Sequence, residues 1–334
     1  MASAGFFRIL SAVAATAGAT AYLRYRREIS ELREQLKAGS EIAETSAGPV
    51  EYAEKGEGQP LLLIHGAGGG YDQGLMIGRD FAEGFRVIAP SRFGYLRTPV
   101  PADTSPAAQA DAHTALLDKL GVKKCVVAGV SAGGPSAIEF ALRYPDRTEA
   151  LLLIVPRTYD PTQSIGADKS FGSQAVLRLV ETSADFLFWV GMKVARPAVV
   201  RFLGVPPELE AKAPKEERER TTEVMRNILP LSDRVAGIAV DSSAEIAPWP
   251  LEKIKAPTLV ISAKDDLFGT LPGARFTAAH IPGAELEVLE SGGHPMLGQR
   301  NRVNAIIGSF LKRRLRLAAS RKTKATSAKH LEPA

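Results

Sequence analysis

Short, uninterrupted apolar runs recur along the chain from residue 40 onward. A strand that is apolar on both faces is typical of a parallel sheet covered by helices on both sides. Six runs fit that pattern, at 60–66, 85–91, 124–131, 150–156, 258–263 and 284–291. Two shorter strand candidates, at 42–46 and 49–56, precede them. The chain is therefore predicted to contain about eight strands, most of them buried.

Amphipathic helix patterns alternate with these strands. They cover 105–121, 134–145, 272–283 and 300–317. Such alternation predicts a doubly wound α/β fold with a mostly parallel sheet and helices on both faces. The 100 residues of 156–255 interrupt the alternation and hold helix patterns at 174–194, 197–204 and 214–230. This insertion is too long for a loop, so we expect a helical cap over one end of the sheet.

The first 39 residues form a separate unit, in which an apolar stretch leads into an amphipathic helix. The stretch Ile9–Leu23 has 15 residues, fewer than the roughly 20 that span a bilayer. We favour a single-pass membrane anchor with the body on the cytoplasmic side, because most basic residues follow the stretch. Two alternatives stay open. One is a signal peptide cleaved at an Ala-x-Ala site, with the protein exported. The other is a helix that lies on a surface or is buried.

Composition and charge narrow the classes of protein. The 334 residues are 45% apolar and 24% charged, which excludes collagen-like, wholly disordered and multi-span membrane proteins. The single cysteine, Cys125, excludes an internal disulfide or a cysteine-rich zinc site. The net charge is +5, but residues 1–27 carry +4 and residues 312–334 carry +7, so the body between them is acidic. This pattern argues against nucleic acid as a partner. It favours basic ends that lie on an anionic membrane.

A candidate nucleophile lies where the third buried run meets a helix pattern. The segment Gly129-Val130-Ser131-Ala132-Gly133 has the form G-x-S-x-G between an apolar strand and a helix. A turn this tight strains its central residue and lifts the hydroxyl of Ser131 clear of the backbone. The competing interpretation is a glycine-rich turn that binds phosphate or nothing.

A serine nucleophile needs a base, and two of the five histidines lie at strand ends. His65 ends a strand and leads into a glycine run, whereas His294 follows the last strand in a glycine-rich loop. Catalytic groups of open α/β sheets gather at this edge. We favour His294 as the base, because the glycine run after His65 suits backbone contacts better than proton transfer.

The carboxylate that would hold the base has two candidates, Asp265 and Asp266, directly after the next-to-last strand. We favour Asp265, although a turn-forming role fits both residues equally. The resulting order Ser131, Asp265, His294 is serine, acid, histidine, which differs from the orders of the two classical serine protease architectures.

Together these motifs resemble the α/β-hydrolase superfamily, of the capped esterase and meta-cleavage hydrolase type. The resemblance extends over about residues 48–315 and rests on four motifs, His65-Gly66, the GVSAG of 129–133, the SAKDD of 262–266 and the GGH of 292–294. It implies an eight-stranded α/β-hydrolase fold. It also selects Asp265, which lies three residues after Ser262.

The resemblance further implies how an oxyanion would be bound. The backbone N–H groups of Ala132 and Ala67 would be the donors, with Gly68 as the alternative to Ala67. His65 would be structural, under the oxyanion loop. No metal and no cofactor is expected. The segment after the fourth strand departs from the family pattern and carries Arg92 and Arg97. These would either contact an acidic group of a substrate or, as we favour, pair with acids at the surface.

The predicted function is a serine hydrolase that cleaves a carboxylic ester or thioester of a lipophilic small molecule. The alternatives are a hydrolase of C–C bonds in dienoates from ring cleavage, a cofactor-free peroxidase-like relative, and a membrane-attached binding protein with little turnover. The predicted organisation is an N-terminal anchor and helix over 1–39, a core over 40–155 and 256–318, a helical cap over 156–255, and a basic disordered tail over 319–334.

Overall fold

The computed structural model describes residues 2–81, 83–162, 185–246 and 248–329. Within these residues a single sheet has the strand order β1-β2-β4-β3-β5-β6-β7-β8. The pairs β1–β2 and β2–β4 are antiparallel, and the others are parallel. The predicted mostly parallel, eight-stranded sheet is therefore confirmed. The strands are β1 (Glu41–Thr45), β2 (Gly48–Lys55), β3 (Gln59–Ile64), β4 (Phe85–Pro90), β5 (Cys125–Val130), β6 (Thr148–Ile154), β7 (Thr258–Ala263) and β8 (Glu285–Leu289).

Helices cover both faces of the sheet, which explains why its central strands are apolar at every position. Along β3, Leu62 packs in a cluster that includes Leu116 and Ile138, whereas its neighbour Leu63 packs in a second cluster with Phe310. Successive side chains of a strand point to opposite faces, so each face needs its own apolar set. The covering helices are α2 (Tyr71–Phe81), α3 (Pro106–Lys119), α4 (Gly134–Arg143), α10 (Leu271–His280) and α11 (Arg300–Lys329).

The insertion between β6 and β7 forms a helical region with its own apolar cluster, which includes Val200, Val205 and Met225. Its described helices are α5 (185–194), α6 (Arg196–Phe202), α7 (Pro207–Lys212), α8 (Lys215–Arg226) and α9 (Val235–Ser243). The helix patterns predicted at 197–204 and 214–230 correspond to α6 and α8. Residues 174–184 of the first predicted cap helix lie outside the described residues.

The N-terminal unit is one continuous helix, α1 (Ala2–Ala38), and its second half packs against the rest of the protein. Ile29 is buried with Trp189 and Leu229 of the cap, and the Trp189 indole N–H donates to Glu28 at 2.6 Å. Among the described residues, no helix is long and apolar enough to cross a membrane. The expected transmembrane helix is therefore not found. The physical reason is that alanine and threonine make the apolar stretch of α1 only weakly hydrophobic.

The basic C-terminal segment also differs from the prediction. Residues 319–334 are predicted to be disordered, but α11 continues to Lys329. Alanine, lysine and arginine are all strong helix formers, and the preceding turns supply a helix that they extend. Composition alone pointed to disorder and missed this local propensity.

Candidate active site

The turn after β5 places Ser131 in a strained conformation. Ser131 has φ of 50°, in the left-handed region that favours glycine, and begins a 3₁₀ turn that leads into α4. A Cβ atom at Gly129 would lie 2.6 Å from the Ala137 Cβ, and one at Gly133 would lie 2.5 Å from the Ile64 carbonyl oxygen. Both glycines are thus required by close contacts. This is the sharp strand-to-helix turn that the G-x-S-x-G pattern predicts.

His294 lies in the loop after β8, and its partner is Asp266. The Nδ1 atom of His294 is 2.9 Å from the Asp266 Oδ2 atom, and the side chain of Asp266 is only 1% exposed. Burial raises the pKa of Asp266. The charge of His294 and hydrogen bonds from His294, Thr270 and Phe268 lower it by more, so the net shift is downward. Asp266 is therefore an ionised, fixed acceptor for the imidazole.

The choice of Asp265 as this partner was wrong. The Asp265 carboxylate accepts hydrogen bonds from the Ser291 hydroxyl at 2.8 Å and from the amides of Gly292 at 3.1 Å and Gly293 at 2.8 Å. It thus holds the loop that leads to His294. Adjacent residues of a turn direct their side chains differently, and counting positions from the strand end could not tell which of the two aspartates meets the imidazole.

One local feature of Asp266 was available in the sequence. Its Oδ1 atom accepts the amide of Phe268 at 2.9 Å, and its Oδ2 atom accepts the hydroxyl of Thr270 at 2.6 Å. A carboxylate that is fixed by residues two and four positions later forms a local turn in which it is already oriented. The threonine at position 270 was the residue that could have favoured Asp266.

The loop after β3 contains the candidate oxyanion donors. A Cβ atom at Gly66 would lie 3.1 Å from the Ser131 Cβ, so this loop lies directly against Ser131. The amide of Gly68 donates to the Tyr95 hydroxyl at 3.3 Å, which favours Ala67 over Gly68 as the donor. Ala67 lines the same cavity as Ser131, and Ala132 follows Ser131 in the 3₁₀ turn.

His65 is fully buried beneath this loop and is held on both ring nitrogens. Its Nδ1 atom donates to the Gly66 carbonyl at 2.7 Å, and its Nε2 atom accepts the amide of Arg92 at 3.0 Å. Burial and the nearby charge of Arg92 lower the pKa of His65 well below its usual value. A neutral ring with both nitrogens occupied matches the structural position that the resemblance implies.

Arg92 and Arg97 pair with acids, but not at the surface as predicted. The Arg92 guanidinium is buried and binds both carboxylate oxygens of Asp241 at 2.6 and 2.7 Å. Arg97 is half-buried and donates to the buried Glu51 at 2.7 Å. Neither arginine lines the cavity. Both belong to internal networks that the sequence could not reveal, because Asp241 and Glu51 are far away along the chain.

A cavity of about 460 Å³ lies between the sheet edge and the cap, and both Ser131 and His294 line it. Its wall is mostly apolar. Among the large cap residues, Phe202 lines the cavity, while Phe186, Phe188, Trp189, Met192 and Trp249 pack elsewhere. Three basic residues also belong to the wall, Arg201, Arg220 and Arg300. The main apolar lining residues are Met76, Ile77, Leu203, Val224, Ile228, Leu231, Ile238, Leu267 and Val303.

A capped α/β sheet with a strained serine, a histidine and a buried aspartate at its edge defines the class of α/β hydrolases. The chain belongs to the family described as alpha/beta hydrolase fold, whose model matches residues 59–300. It is a hydrolase of this fold, as the resemblance implies.

Three known proteins illustrate the range within the family. The chain is 28% identical to Lipase 1 of Psychrobacter immobilis, over 82% of this chain and 83% of the lipase. It is 27% identical to a 2-hydroxy-6-oxo-6-phenylhexa-2,4-dienoate hydrolase of Burkholderia cepacia, over 73% of this chain and 84% of that enzyme. A solved alpha/beta hydrolase fold protein from Nakamurella multipartita matches with a TM-score of 0.61 and 29% identity, over 81% of this chain and 98% of that one.

Proposed function

We propose that the protein hydrolyses carboxylic esters or thioesters with a lipophilic acyl group, through an acyl-enzyme on Ser131. The observation that carries the proposal is the placement of Ser131 and the Asp266-bound His294 on the wall of one largely apolar cavity. A cavity of this size and polarity suits a small, hydrophobic substrate. The similarity to a lipase supports the same class of reaction.

The proposed reaction has two steps. Asp266 holds the Nδ1 side of His294, so the Nε2 atom accepts the proton of Ser131 as the serine oxygen attacks the carbonyl carbon. The N–H groups of Ala132 and Ala67 stabilise the oxyanion, and His294 then protonates the leaving alcohol or thiol. Water, deprotonated by His294, then attacks the acyl-enzyme. The acid is released as His294 returns that proton to the Ser131 oxygen, which regenerates the serine.

A second candidate is hydrolysis of a C–C bond in a dienoate, and one observation favours it. Three arginines, Arg201, Arg220 and Arg300, are among the residues that line the cavity, and Arg220 also pairs with Glu217 at 3.7 Å. A cationic wall suits a substrate that bears a carboxylate. The similarity to a dienoate hydrolase supports the same alternative.

A substrate panel separates the two functions. The wild-type protein is assayed with p-nitrophenyl esters of increasing acyl length and with 2-hydroxy-6-oxo-dienoates, beside Ser131→Ala. The ester proposal expects kcat/KM to rise with acyl length while dienoates turn over slowly. Faster turnover of dienoates than of every ester would reverse the order of the two candidates.

We also propose that the protein lies on an anionic membrane surface through the first part of α1 and through the basic residues at both ends of the chain, within 1–27 and 312–334. Leu23 is 68% exposed, and the side chains of Arg24 and Arg27 are 69% and 82% exposed and pair with Glu28 and Glu31, so apolar and charged groups lie side by side on this helix. Basic groups next to an apolar face favour anionic lipid headgroups. Export after cleavage of a signal peptide remains the alternative location.

Flotation of the full chain with vesicles tests this location. We expect binding to anionic vesicles that contain about 30% phosphatidylglycerol. Binding to vesicles of pure phosphatidylcholine should be weak. Replacing Arg24, Arg26 and Arg27 with glutamine should weaken binding several-fold. Equal binding to both vesicle types would contradict the electrostatic part of the proposal.

A further inference from the structure

The hydroxyl of Tyr95 joins the cap to the candidate oxyanion loop. It donates to the Oδ2 atom of Asp241 at 2.5 Å and accepts the amide of Gly68 at 3.3 Å. Asp241 belongs to α9 of the cap, and Gly68 directly follows Ala67. Tyr95 is fully buried, so water does not replace either contact.

Asp241 is also linked, through Arg92, to the start of the candidate oxyanion loop at His65. Its carboxylate binds the Arg92 guanidinium, and the Nε atom of Arg92 donates to the His65 carbonyl at 2.9 Å. One carboxylate of the cap is therefore linked to His65 through Arg92 and to Gly68 through Tyr95. The candidate donor Ala67 lies between these two fixed points.

Close packing sets the position of the Tyr95 ring. A Cβ atom at Gly237 of α9 would lie 2.2 Å from the ring, and one at Gly94 would lie 2.6 Å from the Gly237 nitrogen. On its other side the ring contacts the His65 imidazole edge-on, with centroids 4.7 Å apart. The hydroxyl is therefore held in one place between α9 and the loop.

We propose that Tyr95 and Asp241 are positioning residues for oxyanion binding, so that the cap completes the catalytic site as well as covering it. Gly68 has φ of +70°, a conformation that the Tyr95 hydrogen bond holds in place. Without that bond the Ala67–Gly68 peptide loses this anchor, and the Ala67 amide is held only from the Gly66 side, where the Gly66 carbonyl accepts from His65. The inference rests on the proposed serine hydrolase function.

This role predicts a particular kinetic signature. Oxyanion donors act mainly in the transition state, and removal of one costs about 10²–10³ in kcat. Misalignment of one donor should lower kcat by less than its removal. Tyr95→Phe is therefore expected to lower kcat by about 10- to 100-fold while KM changes less than about twofold. A residue that only supports the fold would instead lower the fraction of active protein and leave the kcat of the folded fraction unchanged.

The experiment compares Tyr95→Phe with Tyr144→Phe, which removes a hydroxyl that donates to Asp111 at 2.5 Å, at the far end of α4 from the turn. Active protein is counted by titration with a fluorophosphonate at saturation, and kcat is expressed per labelled site. We also measure inhibition by a trifluoromethyl ketone, whose adduct carries an oxyanion, and by the acid product, which has none.

The expected result is a fall in kcat and in trifluoromethyl ketone affinity by a similar factor in Tyr95→Phe. The affinity for the acid product and both properties of Tyr144→Phe should change little. Unchanged kcat per labelled site in Tyr95→Phe would overturn the inference while leaving the serine hydrolase intact. A wild-type protein with no ester turnover and no labelling would instead contradict the proposed function. If Tyr95→Phe folds poorly, Asp241→Asn gives the same test from the cap side, with the same loss of kcat expected.

Discussion

The loops after β5 and β7 lie at the same edge of the sheet, yet their geometry has different origins. Backbone contacts fix the first loop, since glycines at 129 and 133 are needed for steric reasons and allow the tight turn in which Ser131 has a left-handed conformation. Side-chain contacts fix the second loop, where Asp266 meets His294 and Asp265 meets the amides of Gly292 and Gly293. A site fixed by backbone sterics is therefore encoded by neighbouring residues in the sequence, whereas one fixed by side-chain direction depends on distant partners.

The largest expected effect is at the backbone-fixed loop. Ser131→Ala removes the proposed nucleophile and should lower kcat by about 10⁶-fold, the loss found when a triad serine is removed. The measurement is the hydrolysis rate of a p-nitrophenyl ester by purified, folded protein. Ser136→Ala is the matched control, because it removes a buried serine of α4 outside the cavity lining and should keep activity within about threefold. Substantial activity in Ser131→Ala would mean that another group is the nucleophile.

The next effect separates the two aspartates of the second loop. Asp266→Asn removes the charge that holds His294 and should lower kcat by about 10⁴-fold, as a neutral amide favours the wrong imidazole tautomer. Asp265→Asn should lower kcat by only about tenfold. It weakens hydrogen bonds to the 291–293 loop and should reduce the free energy of unfolding by about 1–3 kcal/mol. Steady-state kinetics and urea unfolding of both variants provide the measurement, and the reverse order of kcat would restore Asp265 as the partner.

A smaller effect is on the pH dependence of the free energy of unfolding. The buried histidines near the first loop and Asp266 in the second loop should reduce it over different pH ranges. Near the first loop, burial lowers the pKa of His113 to about 3 and that of His65 well below its usual value. The unfolded chain binds protons on these rings below about pH 6.5, whereas the folded protein does not. Stability should therefore fall as pH drops from 6.5 toward 3, by about 1.4 kcal/mol per pH unit for each ring.

Asp266 affects the free energy of unfolding over a lower pH range. Its pKa is lowered below 3.8, so its contribution to stability is present above that value and is lost only as pH falls through its folded-state pKa. Urea unfolding of wild type, His113→Gln and Asp266→Asn at pH 7, 5 and 3 tests both statements. His113→Gln should flatten the decline between pH 6.5 and 3, and Asp266→Asn should flatten the decline below 3.8. An unchanged slope in either variant would contradict the assignment for that residue.

The same contrast explains what the sequence could predict. Buried strands, their alternation with helices and the turn around Ser131 follow from local hydrophobicity and glycine placement, and the fold confirms them. The burial of Arg92, predicted to lie at the surface, could not be predicted locally, because its partner Asp241 is 149 positions away, in the cap. The choice between Asp265 and Asp266 failed for a related reason, since the imidazole that decides it comes from another loop.

The proposed catalysis depends on activation of Ser131 as a nucleophile by His294 within the apolar cavity. Labelling with a fluorophosphonate, followed by intact mass and peptide mapping, tests it most directly in wild type, Ser131→Ala and His294→Ala. We expect one adduct on Ser131 in the wild-type protein, none in Ser131→Ala, and labelling of His294→Ala slower by orders of magnitude. Absence of labelling in folded wild-type protein, or an adduct on a different residue, would contradict the proposed role of Ser131.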